Sequence, residues 1–157
     1  MTRVCARLDK TEREGTDIGY THYWRPTKGI EPTTFARLSA AAAKVVSIAW
    51  DEQEIDFADG LGDEGTEPEF TKELIRFNGL GDNSHETFYL SPEPQGFQFC
   101  KTAMKPYDVA VTAILCLLHL YTDGTVEISS DGDKRDWEAG LELARRVAPD
   151  AQIPPSV

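Results

Sequence analysis

The sequence predicts a single α+β domain in which a mainly antiparallel sheet carries about three helices. Three observations lead there. The chain has 157 residues, 40% of them apolar and 10% aromatic, which is one domain's length with enough apolar material for one core. Short alternating runs gather in its middle, separated by glycine, asparagine and proline, as antiparallel hairpins require. Longer runs with helical spacing flank those strands instead of alternating with them, the mark of segregated helices and strands. Residues 1–18 read as a polar arm, 19–150 as the domain and 151–157 as a proline-containing tail.

Gly19–Trp24 alternates Tyr20, His22 and Trp24 on one face with Thr21 and Tyr23 on the other, a strand pattern. After a connection through Pro26, Gly29 and Pro32, Thr33 or Thr34 caps a helix. Its apolar positions Phe35, Leu38, Ala42, Val45, Val46 and Ala49 recur at three and four residues, and it ends near Trp50 or Asp51. Short strands are expected at Ile55–Ala58, Glu73–Phe77, Glu86–Leu90 and Phe97–Cys100. Two loops echo each other, Asp59-Gly-Leu-Gly-Asp63 and Asn78-Gly-Leu-Gly-Asp82. No helical pattern follows either loop, so neither reads as a phosphate-cradling glycine turn. Val109–Leu120 is apolar nearly all round and predicts a buried helix, with Pro106 in its first turn. Asp123-Gly124 turns the chain into the strand Thr125–Ser130, with Val126 and Ile128 inward. A last helix from Asp136 lines up Trp137, Leu141 and Ala144.

Several function classes are disfavoured at this level. The longest apolar run falls short of the roughly 20 residues that span a bilayer, and the first residues lack the apolar core of a signal peptide. Cys5, Cys100 and Cys116 form no CxxC pair, so a reducing, cytoplasmic setting is expected. The three histidines show no HxH or HExxH spacing, so no metal site is expected from them, and the sequence names no cofactor. A formal net charge of -11 acts against non-specific nucleic-acid binding. Ten carboxylates lie between Asp51 and Glu73, against the single Lys72. They read as a solvated face, or as a surface offered to a basic partner.

The motifs Gly19-Tyr-Thr-His-Tyr-Trp24, Phe77-Asn-Gly79, Glu86-Thr-Phe88, Phe99-Cys-Lys-Thr102, Lys105-Pro-Tyr-Asp108, Ser129-Ser-Asp-Gly132 and Asp136-Trp137 occur in that order. Together they resemble a family of small, uncharacterised proteins from phage and microbial genomes, over about residues 19–147. The resemblance implies a shared fold and carries no catalytic, cofactor or partner role with it. Met104 departs from the basic residue expected at its position.

The segment Phe97–Asp108 carries the most chemistry. It joins a strand to a helix start, where free N–H groups and the helix dipole favour an anion, and Lys101 and Lys105 add positive charge. The same residues also fit a helix start capped by Thr102 or Asp108 with solvated lysines. Cys100 is a candidate nucleophile with His22 or His85 as its base, but alternation places it opposite Phe97 and Phe99, where a core thiol is the plainer reading. His85 and Glu86 are candidate general bases, although adjacent strand residues point to opposite faces. Asp131-Gly-Asp133 is either a site carboxylate at a strand end or ordinary turn chemistry.

Two functions follow as expectations. In the first, the protein binds an anionic, nucleotide-like small molecule through Lys101, Thr102, Lys105 and Asp108, with His22, Asn78 and Asp131 among the polar walls. Hydrolysis with His85 or Glu86 as base would be a further step. This requires Lys101, His85 and Asp131 to share a surface. In the second, the acidic stretch docks without any reaction on a basic protein, as an inhibitor or interaction module. Oligomeric state is not legible in the sequence.

Overall fold

The computed structural model describes residues 19–157. The elements run β1 (Thr21–Arg25), α1 (Pro32–Gln53), β2 (Phe57–Ala58), β3 (Glu69–Phe70), β4 (Ile75–Gly79), β5 (Phe88–Leu90), β6 (Gln98–Lys101), α2 (Asp108–Tyr121), β7 (Glu127–Ser130) and α3 (Glu138–Val147). This is an α+β fold with antiparallel pairing throughout. No described helix is long and apolar enough to cross a membrane.

The local chemistry accounts for most boundaries. α1 starts on Pro32, whose missing N–H costs nothing at a first helical position, and makes no side-chain cap. The expected threonine cap is therefore not used. The helix ends in left-handed Glu54 (φ 56°), and Ile55 N–H returns to Ala49 O at 3.2 Å. α2 is buried without interruption from Ala110 to Leu118, as its all-round apolarity requires, and lies between α1 and α3. α3 crosses it at Gly140, where an added Cβ would lie 2.0 Å from Thr112 Oγ1, so only glycine allows that approach.

The strands form two small sheets. One has the order β6-β1-β7; the other is built on β4, which pairs with β2, β3 and β5. The two-residue β3 lies where no alternation marked a strand. The two glycine loops meet: Gly81 N–H donates to Gly62 O at 3.0 Å, and both glycines have positive φ (55° and 76°). The sheets are joined at Lys101, whose O accepts Glu86 N–H at 3.1 Å while its N–H donates to Glu86 Oε1 at 2.9 Å.

Residues 151–157 pack on the domain and are not a loose tail. Ala151 and Pro154 are buried, Arg145 Nε donates to Ala151 O at 2.9 Å, and Lys134 Nζ donates to Val157 O at 2.9 Å. The expected N-terminal arm lies outside the described residues.

The β6-β1-β7 sheet positions everything that follows. Its inward side chains, His22, Trp24, Cys100 and Ile128, are buried, and Ser130 points the same way. The other face carries Tyr23, Arg25, Phe97, Phe99, Lys101, Glu127, Ser129 and Asp131. Phe97 and Phe99 remain 50% and 47% exposed there. Strand alternation thus separates a polar network inside from an aromatic face outside.

Candidate functional site

On the open face, a groove of about 270 Å³ is lined by Thr21, Tyr23, Phe97, Phe99, Lys101 and Asp131. A second, smaller hollow of about 100 Å³ lies on the other side of Tyr23 and Phe97, walled by Arg25, Glu127 and Ser129. Tyr23 and Phe97 stack at 5.5 Å between centroids, and Phe97 and Phe99 lie 6.1 Å apart. A cation accompanies each phenylalanine: Arg25 Cζ is 5.3 Å from the Phe97 centroid and Lys101 Nζ is 5.8 Å from that of Phe99. Asp131 is held in place by Thr21 N–H on Oδ2 and Tyr23 O–H on Oδ1, both at 3.1 Å. Lys101 and Asp131 therefore share one surface.

The other expected site residues lie elsewhere. His85 is buried behind Lys101 and donates through Nδ1 to Lys101 O at 2.8 Å, so it does not face the groove. Lys105 is turned away from Lys101, with Nζ on Asp82 O at 3.0 Å. Between the two lysines the chain passes through left-handed Ala103 and Met104 (φ 53° and 59°), and α2 begins only at Asp108. The helix start carries a carboxylate where an anion would have to bind, and neither Thr102 nor Asp108 caps it. A hollow of about 270 Å³ does lie at that helix start, lined by Met104, Lys105, Pro106 and Asp108, but Lys101 is not part of it, so the two lysines do not converge there.

His22, Thr102 and Asp108 instead form a buried network with Ser130 and Trp137. His22 is 0% exposed, and its Nε2 lies 2.6 Å from Asp108 Oδ1, which also accepts Thr102 Oγ1–H at 2.6 Å. Its Nδ1 lies 2.8 Å from Ser130 Oγ. The sequence Ser130–His22–Asp108 has the residue types of a hydrolase relay, so hydrogen-bond counting matters. Ser130 Oγ accepts Gly132 N–H at 2.9 Å and Trp137 Nε1–H at 3.1 Å, which fills both lone pairs. Its own proton must then go to His22 Nδ1, and the imidazole carries its proton on Nε2 and donates to Asp108. A hydroxyl with both lone pairs engaged is no nucleophile. The network fastens β1, β7 and the starts of α2 and α3 together.

Asn78 centres a second buried knot. Its Nδ2 donates to His85 O (2.9 Å) and Gly60 O (3.1 Å), and its Oδ1 accepts Gly79 N–H (2.7 Å) and His85 N–H (3.0 Å). All of its hydrogen-bonding capacity is used within the protein, and it cannot serve as a wall of the groove. Glu86 places Oε1 on Lys101 N–H, and its backbone carbonyl accepts Tyr107 O–H at 2.5 Å. Cys100 Sγ lies 3.4 Å from Glu86 O, wholly buried; burial, reinforced by the Glu86 carboxylate, pushes its thiol well above the ordinary range. His22 stands across the ladder from Cys100, but both its ring nitrogens are taken. The arrangement opposes thiolate formation, and the nucleophile reading loses its physical basis.

Part of the acidic stretch is structural. Glu52 forms a two-bonded pair with Arg146, both contacts 3.0 Å, which holds its carboxyl below the usual range. Glu69 pairs with Arg76, and Asp59 accepts Leu61 N–H at 2.9 Å. In the Asp131-Gly-Asp133 turn, Asp133 Oδ1 accepts Arg135 and Asp136 N–H while Asp136 Oδ2 accepts Asp133 N–H, a reciprocal cap ahead of α3. Among the described residues no three His, Cys, Asp or Glu side chains group as metal ligands.

No protein-family model matches this chain, and neither a curated protein nor a solved structure is significantly similar to it. Sequence reasoning missed Tyr23, Arg25 and the two phenylalanines as a site, although alternation had already placed Phe97 and Phe99 opposite the buried Cys100. Ser130 and Trp137 stood in the quoted motifs, but nothing in the sequence joined them to His22, because that contact depends on which strands become neighbours.

Proposed function

We propose that this protein binds a small planar anion, of the kind a mononucleotide represents, on the open face of the β6-β1-β7 sheet. The observation that carries the reading is a half-exposed aromatic ring paired with a cation in the groove: Phe99 with Lys101, beside the exposed Phe97. Exposed phenylalanines on a sheet face lose free energy to water, and a planar ligand ring relieves that cost by stacking. Lys101 then meets the anionic group, and Thr21 and Asp131 line the same end of the groove. A volume of about 270 Å³ lies just below the usual range for ligand pockets, roughly 300–1,000 Å³, and suits a small ligand. The reading assigns binding and no catalytic step.

Titration of the isotopically labelled full chain with adenosine monophosphate, adenosine and ribose phosphate tests it by NMR. Shifts should centre on Tyr23, Phe99, Lys101 and Asp131, with the monophosphate binding most tightly and Phe99→Ala abolishing the effect. Absence of such shifts at millimolar ligand would refute the reading.

One observation favours a second reading, docking of the acidic face on a basic protein. Leu61 is 76% exposed at the tip of the first glycine loop, flanked by exposed Asp63, Glu64 and Glu67. Capture of a partner there should weaken steeply with salt and be lost in Leu61→Ser, while a salt-independent complex would exclude this mode.

A further inference from the structure

The open face contains a repeat that a single bound ring leaves unused. Extending the strand register by one residue at each end divides the outward side chains into three rungs. The first holds Lys101, Thr21 and Asp131; the second Phe99, Tyr23 and Ser129; the third Phe97, Arg25 and Glu127. Two adjacent rungs are aromatic, and a cation stands at each end of the row. Arg25 lies four residues along β1 from Thr21, the residue opposite Lys101, which sets the two cations' rungs about 13 Å apart at roughly 3.3 Å per residue. The hollows on either side of the Tyr23–Phe97 stack fall at the two ends of this row.

From this repeat, and resting on the binding reading above, we infer that the occupant is a short single-stranded oligonucleotide lying along β1. Two successive bases stack on the Phe99–Tyr23 and Phe97 rungs, with backbone phosphates at Lys101 and Arg25. Aromatic side chains on a sheet recognise single strands because each unpaired base offers a π-face, which a duplex buries. The charge pattern limits the length. The acidic stretch runs from the end of α1 into the second sheet and lines neither hollow, but a net charge of -11 penalises every further phosphate. Dinucleotides to tetranucleotides fit; long strands and duplexes do not.

The experiment compares adenosine monophosphate, the 5′-phosphorylated adenosine dinucleotide, the corresponding tetranucleotide and a hairpin duplex against the full chain. The dinucleotide should bind about tenfold or more tightly than the monophosphate, the effect of one further stacked base. Its affinity should fall with salt at a log–log slope of about -1.4, two phosphates at about -0.7 each. Arg25→Gln, at an exposed position outside the 270 Å³ groove, should reduce the dinucleotide to the level of the monophosphate and leave the monophosphate unchanged. A thermal melt confirms that the variant is folded. Equal affinity for the two nucleotides overturns the oligonucleotide inference and leaves the mononucleotide reading standing. Failure of both to bind overturns the two together. Equal binding of the hairpin also overturns the inference, because charge alone would then account for recognition.

Discussion

Replacing Asn78 by alanine should cost this protein about 3–5 kcal/mol of stability. The side chain is buried and makes four hydrogen bonds, so its removal strands His85 O, Gly79 N–H and His85 N–H together, while Gly60 O keeps the Thr87 hydroxyl. Each buried polar group left unpaired costs about 1–3 kcal/mol. Water entering the vacated space repairs some of them, which brings the sum to about 3–5 kcal/mol. Against a total stability of about 5–15 kcal/mol, that is a large fraction. Urea unfolding followed by tryptophan fluorescence reads it directly. With a slope of about 2 kcal/mol per molar, within the usual range of about 1–3, the midpoint should fall by about 1.5–2.5 M. Asn78→Asp is the informative companion. It keeps two acceptors but turns an oxygen toward Gly60 O and His85 O, so it should be no more stable than the alanine variant. A midpoint shift under about 0.5 M for Asn78→Ala would show that the glycine loops and the β4–β6 junction do not depend on this knot.

Other consequences are equally direct. Ser130→Ala strands His22 Nδ1, Trp137 Nε1–H and Gly132 N–H, and should lower stability by about 2–4 kcal/mol while leaving nucleotide binding on the opposite sheet face unchanged. Equal stability of variant and parent in the same urea assay would undo the hydrogen-bond count. Burial raises the Cys100 thiol well above its ordinary value and pushes Cys116 up to about 12. A Cys5→Ser chain should therefore show no labelling by a thiol reagent at pH 8 until denaturant exposes both remaining cysteines; rapid native labelling would contradict the buried placement. The backbone N–H of Asp136 holds the Asp133 carboxyl below its ordinary 3.8. A depressed carboxyl contributes stability that is present above the unfolded value and lost as pH falls through the folded one. The stability difference between the parent and Asp133→Ala should accordingly shrink on acidification, and a constant difference would remove the linkage.

Much of the fold follows from periodicity alone. The 3.6-residue recurrence in α1 and the unbroken apolar run of α2 required an amphipathic and a buried helix, and both form. Alternation in β1 and β6 separated His22, Trp24 and Cys100 from Tyr23, Phe97 and Phe99 before any strand had a partner. What periodicity cannot encode is neighbourhood. Lys101 and Lys105 are close in sequence, yet left-handed Ala103 and Met104 turn the chain between them and send them to different surfaces. Ser130 and Asp108 flank His22 only because β7 pairs with β1 and α2 begins where it does. The segment Phe97–Asp108 does carry chemistry at both ends, but strand pairing divides it. Its outward phenylalanines and Lys101 line a groove with Asp131, while Cys100, Thr102 and Asp108 are spent on holding the core together. Side-chain facing is a local property of a strand, and so the sequence alone determined it; shared surfaces arise from contacts distant along the chain, and only the tertiary structure decided those.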